Sequence, residues 1–234
     1  MNKNLEKYKK VQSIAKTVLI EIESYITEDK SEKEIASACK TLLEKHGINK
    51  TWYYDCPALV LLGSRSCTSI SGREYIPSDE KVGKNNLITI DLSPLDNEIW
   101  GDCSRSFVVE DGKIKNLESM RSKEFLDGIK TEEKLHKDFK NYVKTGMTFE
   151  DVYQFLNAKI TEYGYINLDF MGNVGHTIEI DRNDRLYFEK GNTNKLTDDM
   201  LFTFEPHIST SEKKWGFKCE NIYFFGEDKK IEEL

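Results

Sequence analysis

Apolar residues recur at intervals of three and four near the start of the chain. Val11, Ile14, Ala15, Val18, Leu19, Ile22, Tyr25 and Ile26 form one stripe, the mark of an amphipathic helix. Ser31 followed by Glu34 is a capping box for a second helix carrying Ile35, Ala38, Leu42 and Leu43, and Gly47 supplies its stop. Extended runs follow at Ala58 to Leu62 and from Leu87 to Val109, with a turn around Ser93 to Glu98. A second helical pair is predicted over roughly 117–163. Leu117, Met120, Phe125, Ile129, Leu135, Phe139 and Val143 mark its first stripe and Gly146 ends it. Thr148 with Asp151 caps the next helix, which bears Val152, Phe155, Leu156 and Ile160. Strands return after Gly164. Each half thus reads helix, helix, strands, with no linker or compositional break, which predicts a single α+β domain over 1–234 with pseudo-symmetric halves.

The strand-like runs contain residues that do not suit an apolar interior. Asp91 ends the run from Leu87, Asp102 lies between Trp100 and Phe107, Glu205 follows Phe204, and Glu220 sits between Phe217 and Ile222. A lone acid of this kind is ordinarily an edge residue; four form a pattern. An ionised carboxylate in an apolar setting is costly unless paired or bound to metal, and two at roughly 4 Å repel by about 1 to 4 kcal/mol. A shared divalent centre removes both costs, and His176 offers an imidazole to it.

Strand alternation sharpens this picture. Asp91 shares a face with Thr89 while Ile88, Ile90 and Leu92 take the core side; Asp102 shares a face with Ser104 and Ser106, opposite Cys103, Arg105 and Phe107. Asp91 and Asp102 are 11 positions apart (102 − 91) and Glu205 and Glu220 are 15 apart (220 − 205), spacings that suit adjacent antiparallel strands. Oxygen-rich ligation with one imidazole favours two ions of Mn, Fe(II), Co or Zn over a structural zinc. Bridged ions lower the pKa of a shared water and supply hydroxide near neutral pH, which points to hydrolysis.

Composition narrows the class. The 34 basic and 41 acidic residues of this 234-residue chain give a formal charge of −7 with both signs intermixed, which argues against a nucleic-acid face. No apolar stretch reaches membrane-span length, and the chain opens Met1-Asn2-Lys3-Asn4 without a signal-peptide core. A cytoplasmic protein with no membrane partner is expected. The five cysteines form no CxxC pair and are odd in number, so they read as reduced thiols; Cys103 and Cys219, each next to a proposed ligand, should point away from the site. His46 and His136 lie on lysine-rich helical segments and are expected to face solvent. Trp52, Tyr53, Tyr54, Trp100, Tyr187 and Phe188 read mainly as core, with Trp52 to Tyr54 as candidate pocket lining.

The order Asp, Asp, His, Glu, Glu stands in the contexts Ile-Asp-Leu-Ser-Pro, Gly-Asp-Cys-Ser-Arg-Ser-Phe, Val-Gly-His-Thr-Ile and Phe-Thr-Phe-Glu-Pro-His-Ile, with a final strand Glu. From about residue 5 to 228 this resembles the pita-bread metallopeptidases: methionine aminopeptidase, prolidase, aminopeptidase P and their non-peptidase relative creatinase. The segment Lys144-Thr145-Gly146-Met147-Thr148 resembles their turn into the helix before the histidine. The resemblance implies a curved antiparallel sheet flanked by helices, two divalent ions and a peptide or small-molecule substrate; a homodimer is among the assemblies open to it. It implies that Asp91 chelates one ion, that Asp102 and Glu220 bridge both, and that His176 with Glu205 completes the other. Glu205 is also the family's candidate for exchanging a proton with the bound water.

Two departures qualify the likeness. A histidine expected in a His-Tyr-x-Pro-like element is replaced in Glu74-Tyr75-Ile76-Pro77, and a second expected after the ligand histidine is absent from Asp181-Arg182-Asn183-Asp184-Arg185. Such histidines position the scissile carbonyl and its oxyanion. His207 is a candidate replacement, and Arg182, Asn183, Arg185 and Glu74 are others; Pro206 threatens the alternation that would put His207 beside Glu205. The chain is also expected to lack the extra N-terminal domain of prolidases, in which respect its size resembles methionine aminopeptidase. Three functions follow: an aminopeptidase or Xaa-Pro-type peptidase, a hydrolase of the creatinase type, or a binding module that has lost catalysis.

Overall fold

In the computed structural model, which describes residues 4–234, both capping boxes form. The Ser31 hydroxyl accepts the Glu34 N–H at 3.2 Å while the Glu34 carboxylate accepts the Ser31 N–H at 2.9 Å. Thr148 and Asp151 repeat the exchange at 3.0 and 2.9 Å. The N-terminal reading rests partly on Met1 to Lys3, which lie outside the described residues.

Helices α1 (Leu5–Glu21) and α2 (Glu32–Lys45) lead into β1 (Lys50–Thr51), β2 (Ala58–Leu62), β3 (Asn86–Leu92), β4 (Pro94–Asp96), β5 (Ile99–Trp100), β6 (Cys103–Glu110) and β7 (Lys113–Lys115). The second half repeats that order with α3 (Lys123–Tyr142), α4 (Phe149–Glu162), β8 (Ile166–Asn167), β9 (Leu201–Phe204), β10 (His207–Ser209), β11 (Phe217–Lys218), β12 (Asn221–Phe225) and β13 (Ile231–Glu233). All pairings are antiparallel, in the orders β2-β3-β6-β7, β13-β12-β9, β11-β10-β8 and β1-β4-β5. One apolar core backs the first half around Ile35, Val60, Ile88 and Ile90; another backs the second around Phe139, Phe149, Phe188 and Phe204. Trp52, Trp100, Ile178 and Ile222 pack a third cluster.

The halves meet at the backbone of Ser104 and Glu220. The Glu220 N–H donates to the Ser104 carbonyl at 3.0 Å, and one guanidinium nitrogen of Arg105 donates to both the Ser104 and Glu220 carbonyls, at 2.7 and 2.8 Å. A strand residue pointing away from the site thus pins the two strands that carry site residues.

Several expectations are corrected. Helix α3 starts at Lys123, not near 117. Leu117 and Met120 lie in a lead-in where Asn116 and Ser119 bond one another, and the Glu110 carboxylate accepts the N–H groups of Arg121 and Ser122 at 2.9 and 2.7 Å. That carboxylate comes from β6, a partner no local pattern contains. The helix ends at Tyr142, ahead of Gly146, whose N–H donates to the Leu196 carbonyl. The turn expected at 93–98 contains β4 and reverses only at Asn97, φ 58°.

The two helix histidines do not face solvent. His46 is half-buried and paired with Glu21 at 3.1 Å. His136 is buried: its Nε2 donates to the Cys219 carbonyl at 3.0 Å and its Nδ1 accepts from the Tyr223 hydroxyl at 2.7 Å. Burial pushes its pKa down to about 4. The unfolded chain takes up this proton near pH 6.5, the folded chain only near 4, so each step of acidification between those values favours unfolding. At pH 4 the deficit approaches about 3 kcal/mol, at 1.36 kcal/mol per unit. Denaturant melts at pH 7 and pH 4 should therefore show a smaller acid loss for His136→Gln than for the unmodified chain; equal losses would contradict the assignment.

Among the described residues no helix is long and apolar enough to cross a membrane. All five cysteines are free.

Candidate metal centre

The β3–β6 ladder pairs Asp91 with Ser104 and Leu92 with Cys103, so Asp102 follows one step beyond the ladder, on the Asp91 side of the sheet. In the second half Phe204 pairs with Asn221 and His207 with Lys218. The ladder is interrupted between these pairs, where Pro206 has no N–H to donate, yet it resumes in unchanged register. Glu205 and His207 therefore keep a common face, and both line the same cavity.

His176 arrives from a separate segment. Its N–H donates to the Thr203 hydroxyl at 3.0 Å, and the preceding Gly175 has φ +152°, with a Cβ there falling 2.3 Å from the Thr203 carbonyl oxygen. Only glycine lets that segment approach β9 so closely. The His176 Nδ1 donates to the Thr177 carbonyl at 2.9 Å, which fixes the tautomer and makes Nε2 an acceptor, with one N–H of Arg185 facing it at 3.5 Å. That nitrogen lies 3.4 Å from Glu205 Oε1 and 3.6 Å from Asp102 Oδ2, and burial pushes the imidazole pKa down to about 4, so it is neutral at physiological pH.

All five expected ligands converge. Asp102, His176 and Glu220 each offer an atom within 4.8 Å of the others, all buried. Neither Glu220 oxygen has a hydrogen-bond partner, and the nearby Ser104 hydroxyl has none either. Burial, then neighbouring acids, push the pKa values of Asp102 and Glu220 well up. An imidazole acceptor beside buried carboxylates, one of them without a hydrogen-bond partner, fits divalent cations with oxygen and nitrogen preference. Glu205 behaves differently: burial would raise its pKa, but the Lys218 ammonium and His176 outweigh burial and hold it below the ordinary carboxylate range.

Two residues here escaped the sequence reading. Lys218 reaches Asp91 Oδ2 at 2.6 Å, Glu205 Oε2 at 3.2 Å and Glu220 Oε2 at 3.5 Å. The signal existed: Lys218 stands two positions before Glu220 and so on its face. Asp169, from a loop, accepts the Ser69 hydroxyl at 2.9 Å and lines the cavity; burial and then Glu205 push its pKa up to about 6. No period or motif marks it.

The cavity has a volume of about 340 Å³, at the small end of ligand sites, which run from roughly 300 to 1,000 Å³. Trp52 and Tyr53 line it; Tyr54, expected beside them, packs between Arg73 and Arg182 instead. Neither Cys103 nor Cys219 is among its lining residues. Of the replacements considered for the absent histidines, Glu74 is exposed outside the cavity, and Asn183 is exposed with its backbone and side-chain N–H groups on Asp181. Arg182 donates to the Trp52 carbonyl at 2.7 Å. His207 lines the cavity but donates Nε2–H to the Ser66 carbonyl at 2.6 Å. Arg185 lines it too, with its guanidinium 5.1 Å from the Trp52 ring centre, 5.3 Å from that of Tyr187 and 3.5 Å from His176 Nε2.

The family model described as metallopeptidase family M24 matches residues 6–227. The chain belongs to this family. An Xaa-Pro dipeptidase of Pyrococcus furiosus is 26% identical over 213 residues, covering 91% of this chain and 56% of that protein. Methionine aminopeptidase B of a Synechocystis strain is 24% identical over 235 residues, 98% of this chain and 82% of the other. The prolidase structure of Pyrococcus horikoshii superposes with a TM-score of 0.81 at 20% identity, covering all of this chain and 62% of that one. The fold of this M24 chain is thus the α+β pita-bread fold. The chain spans about half the length of the prolidases it matches.

Proposed function

We propose that this M24 chain is a metal-dependent hydrolase, an aminopeptidase or Xaa-Pro-type peptidase, with divalent ions held by Asp91, Asp102, His176, Glu205 and Glu220. The observation that carries this reading is the acceptor Nε2 of a neutral, buried His176, close to Asp102 and to Glu220, whose two oxygens lack hydrogen-bond partners. A bound divalent ion supplies a nucleophile from water near neutral pH and polarises a carbonyl.

The protein's own groups divide the remaining work. Glu205 lines the cavity and is held ionised by the Lys218 ammonium, so it is the acid placed to accept a proton from the attacking water and return it to the leaving amine. Arg185 carries the role of the absent histidines: a cation fixed between Trp52 and Tyr187 donates to the carbonyl oxygen as negative charge develops there. His207 suits that role less well, because its Nε2–H is committed to Ser66. Free cysteines fit a cytoplasmic setting.

The test is hydrolysis of Met-, Ala- and Xaa-Pro dipeptides and of creatine by protein reconstituted with Mn, Co, Fe or Zn. At least one dipeptide should be cleaved, with activity lost on chelation and restored by the ion. Creatine turnover without peptide cleavage would favour the creatinase type, and inactivity on the whole panel would overturn the hydrolase reading.

A further inference from the structure

Five acids and histidines were expected to surround two divalent ions, but a sixth side chain stands among them. Lys218 is buried to 17% side-chain exposure, and its placement is imposed by the backbone. Its N–H donates to the Ser106 hydroxyl at 2.8 Å, the same hydroxyl donates to its carbonyl at 3.0 Å, and β11 pairs it with His207. Alternation then turns the ammonium onto the face of Glu220, among three of the four carboxylates.

The contacts are uneven across the cluster. Asp91, whose expected role is to chelate one ion, has its Oδ2 held by Lys218 at 2.6 Å. The group whose atoms lie close enough together for one ion is Asp102, His176 and Glu220, and it includes neither Asp91 nor Glu205, the two acids closest to the Lys218 ammonium. A divalent ion placed at Asp91 would sit against the Lys218 ammonium. Like charges confined in a poorly solvated site repel strongly.

We propose that Lys218 is a built-in cation occupying the place of one of the two ions. The protein then binds one divalent ion tightly, at Asp102, His176 and Glu220, and a second at least about 100-fold more weakly, as expected for a divalent ion brought against an ammonium. This rests on the metal-site reading above and concerns the number of ions, not the reaction.

The experiment is Mn(II) titration of the full chain, with retained metal counted by elemental analysis after desalting and spin coupling read by electron paramagnetic resonance. The unmodified protein should retain one ion with the spectrum of an isolated centre. Lys218→Gln should retain two and show an exchange-coupled spectrum, while Lys218→Arg should stay at one. Two tightly held, coupled ions in the unmodified protein would overturn the proposal, whether or not the variants fold; so would a folded Lys218→Gln that retains only one. Retention of no ion by the unmodified chain would overturn the metal site itself, a result distinguishable from a wrong count.

Discussion

Asp102→Asn is expected to remove turnover of whichever panel substrate the unmodified protein cleaves, by about 10³-fold or more, equivalent to about 4 kcal/mol of barrier. Asparagine keeps the shape of the side chain and one oxygen but not the charge, so ion affinity falls while packing is preserved. The same substitution should act in the opposite direction on the metal-free fold. Asp102 is buried, its pKa is driven well up by burial and by Asp91 and Glu205, and taking that charge away relieves a cost the empty site bears. The melting temperature of Asp102→Asn without metal should therefore exceed that of the unmodified chain without metal, and added ion should raise it less. A merely structural acid would show neither the sign reversal nor the loss of metal response. Unchanged turnover would refute the metal mechanism.

Arg185→Ala should lower turnover by about 10²- to 10³-fold, the usual cost of removing one donor to a developing oxyanion, with metal content unchanged. The guanidinium touches aromatic faces and His176 but forms no ion pair with a site carboxylate within 4 Å among the described residues, so its loss should leave the ion's acids in place. His207→Ala should cost less, under about tenfold, because burial pushes its pKa down to about 4 and its N–H is spent on Ser66. Steady-state kinetics of both variants beside metal analysis would decide between them. If His207→Ala proves the more damaging, the carbonyl-orienting role moves to His207; if both fall together with metal content, the residues act through the ion and not on the substrate.

The corrections share a cause. Ser31 and Thr148 start helices as the sequence predicts, because a capping box is closed by partners three residues away. Ile88, Ile90 and Leu92 face the core, and Thr89 and Asp91 the cavity, because strand alternation is a property of consecutive residues. Asp91, Asp102, His176, Glu205 and Glu220 were legible as one group because acids in apolar strands need a common explanation, and the structure does bring them together. By contrast, α3 starts late because Glu110 reaches it from β6, and His136 is buried because its helix lies against β12, where Tyr223 meets it.

What the sequence by itself determined was the α+β order of elements, the face each strand turns inward and the chemical type of the site. What only the tertiary structure decided was which polar groups complete that site: Lys218 among the acids, Arg185 and not Asn183 or Glu74 at the cavity wall, Asp169 from a loop. The physical reason is range. Periodicity and caps are written over a few neighbouring positions, whereas the position of an ammonium or a guanidinium depends on strands 127 residues apart being brought into register (218 − 91), and on the aromatic rings that hold it there.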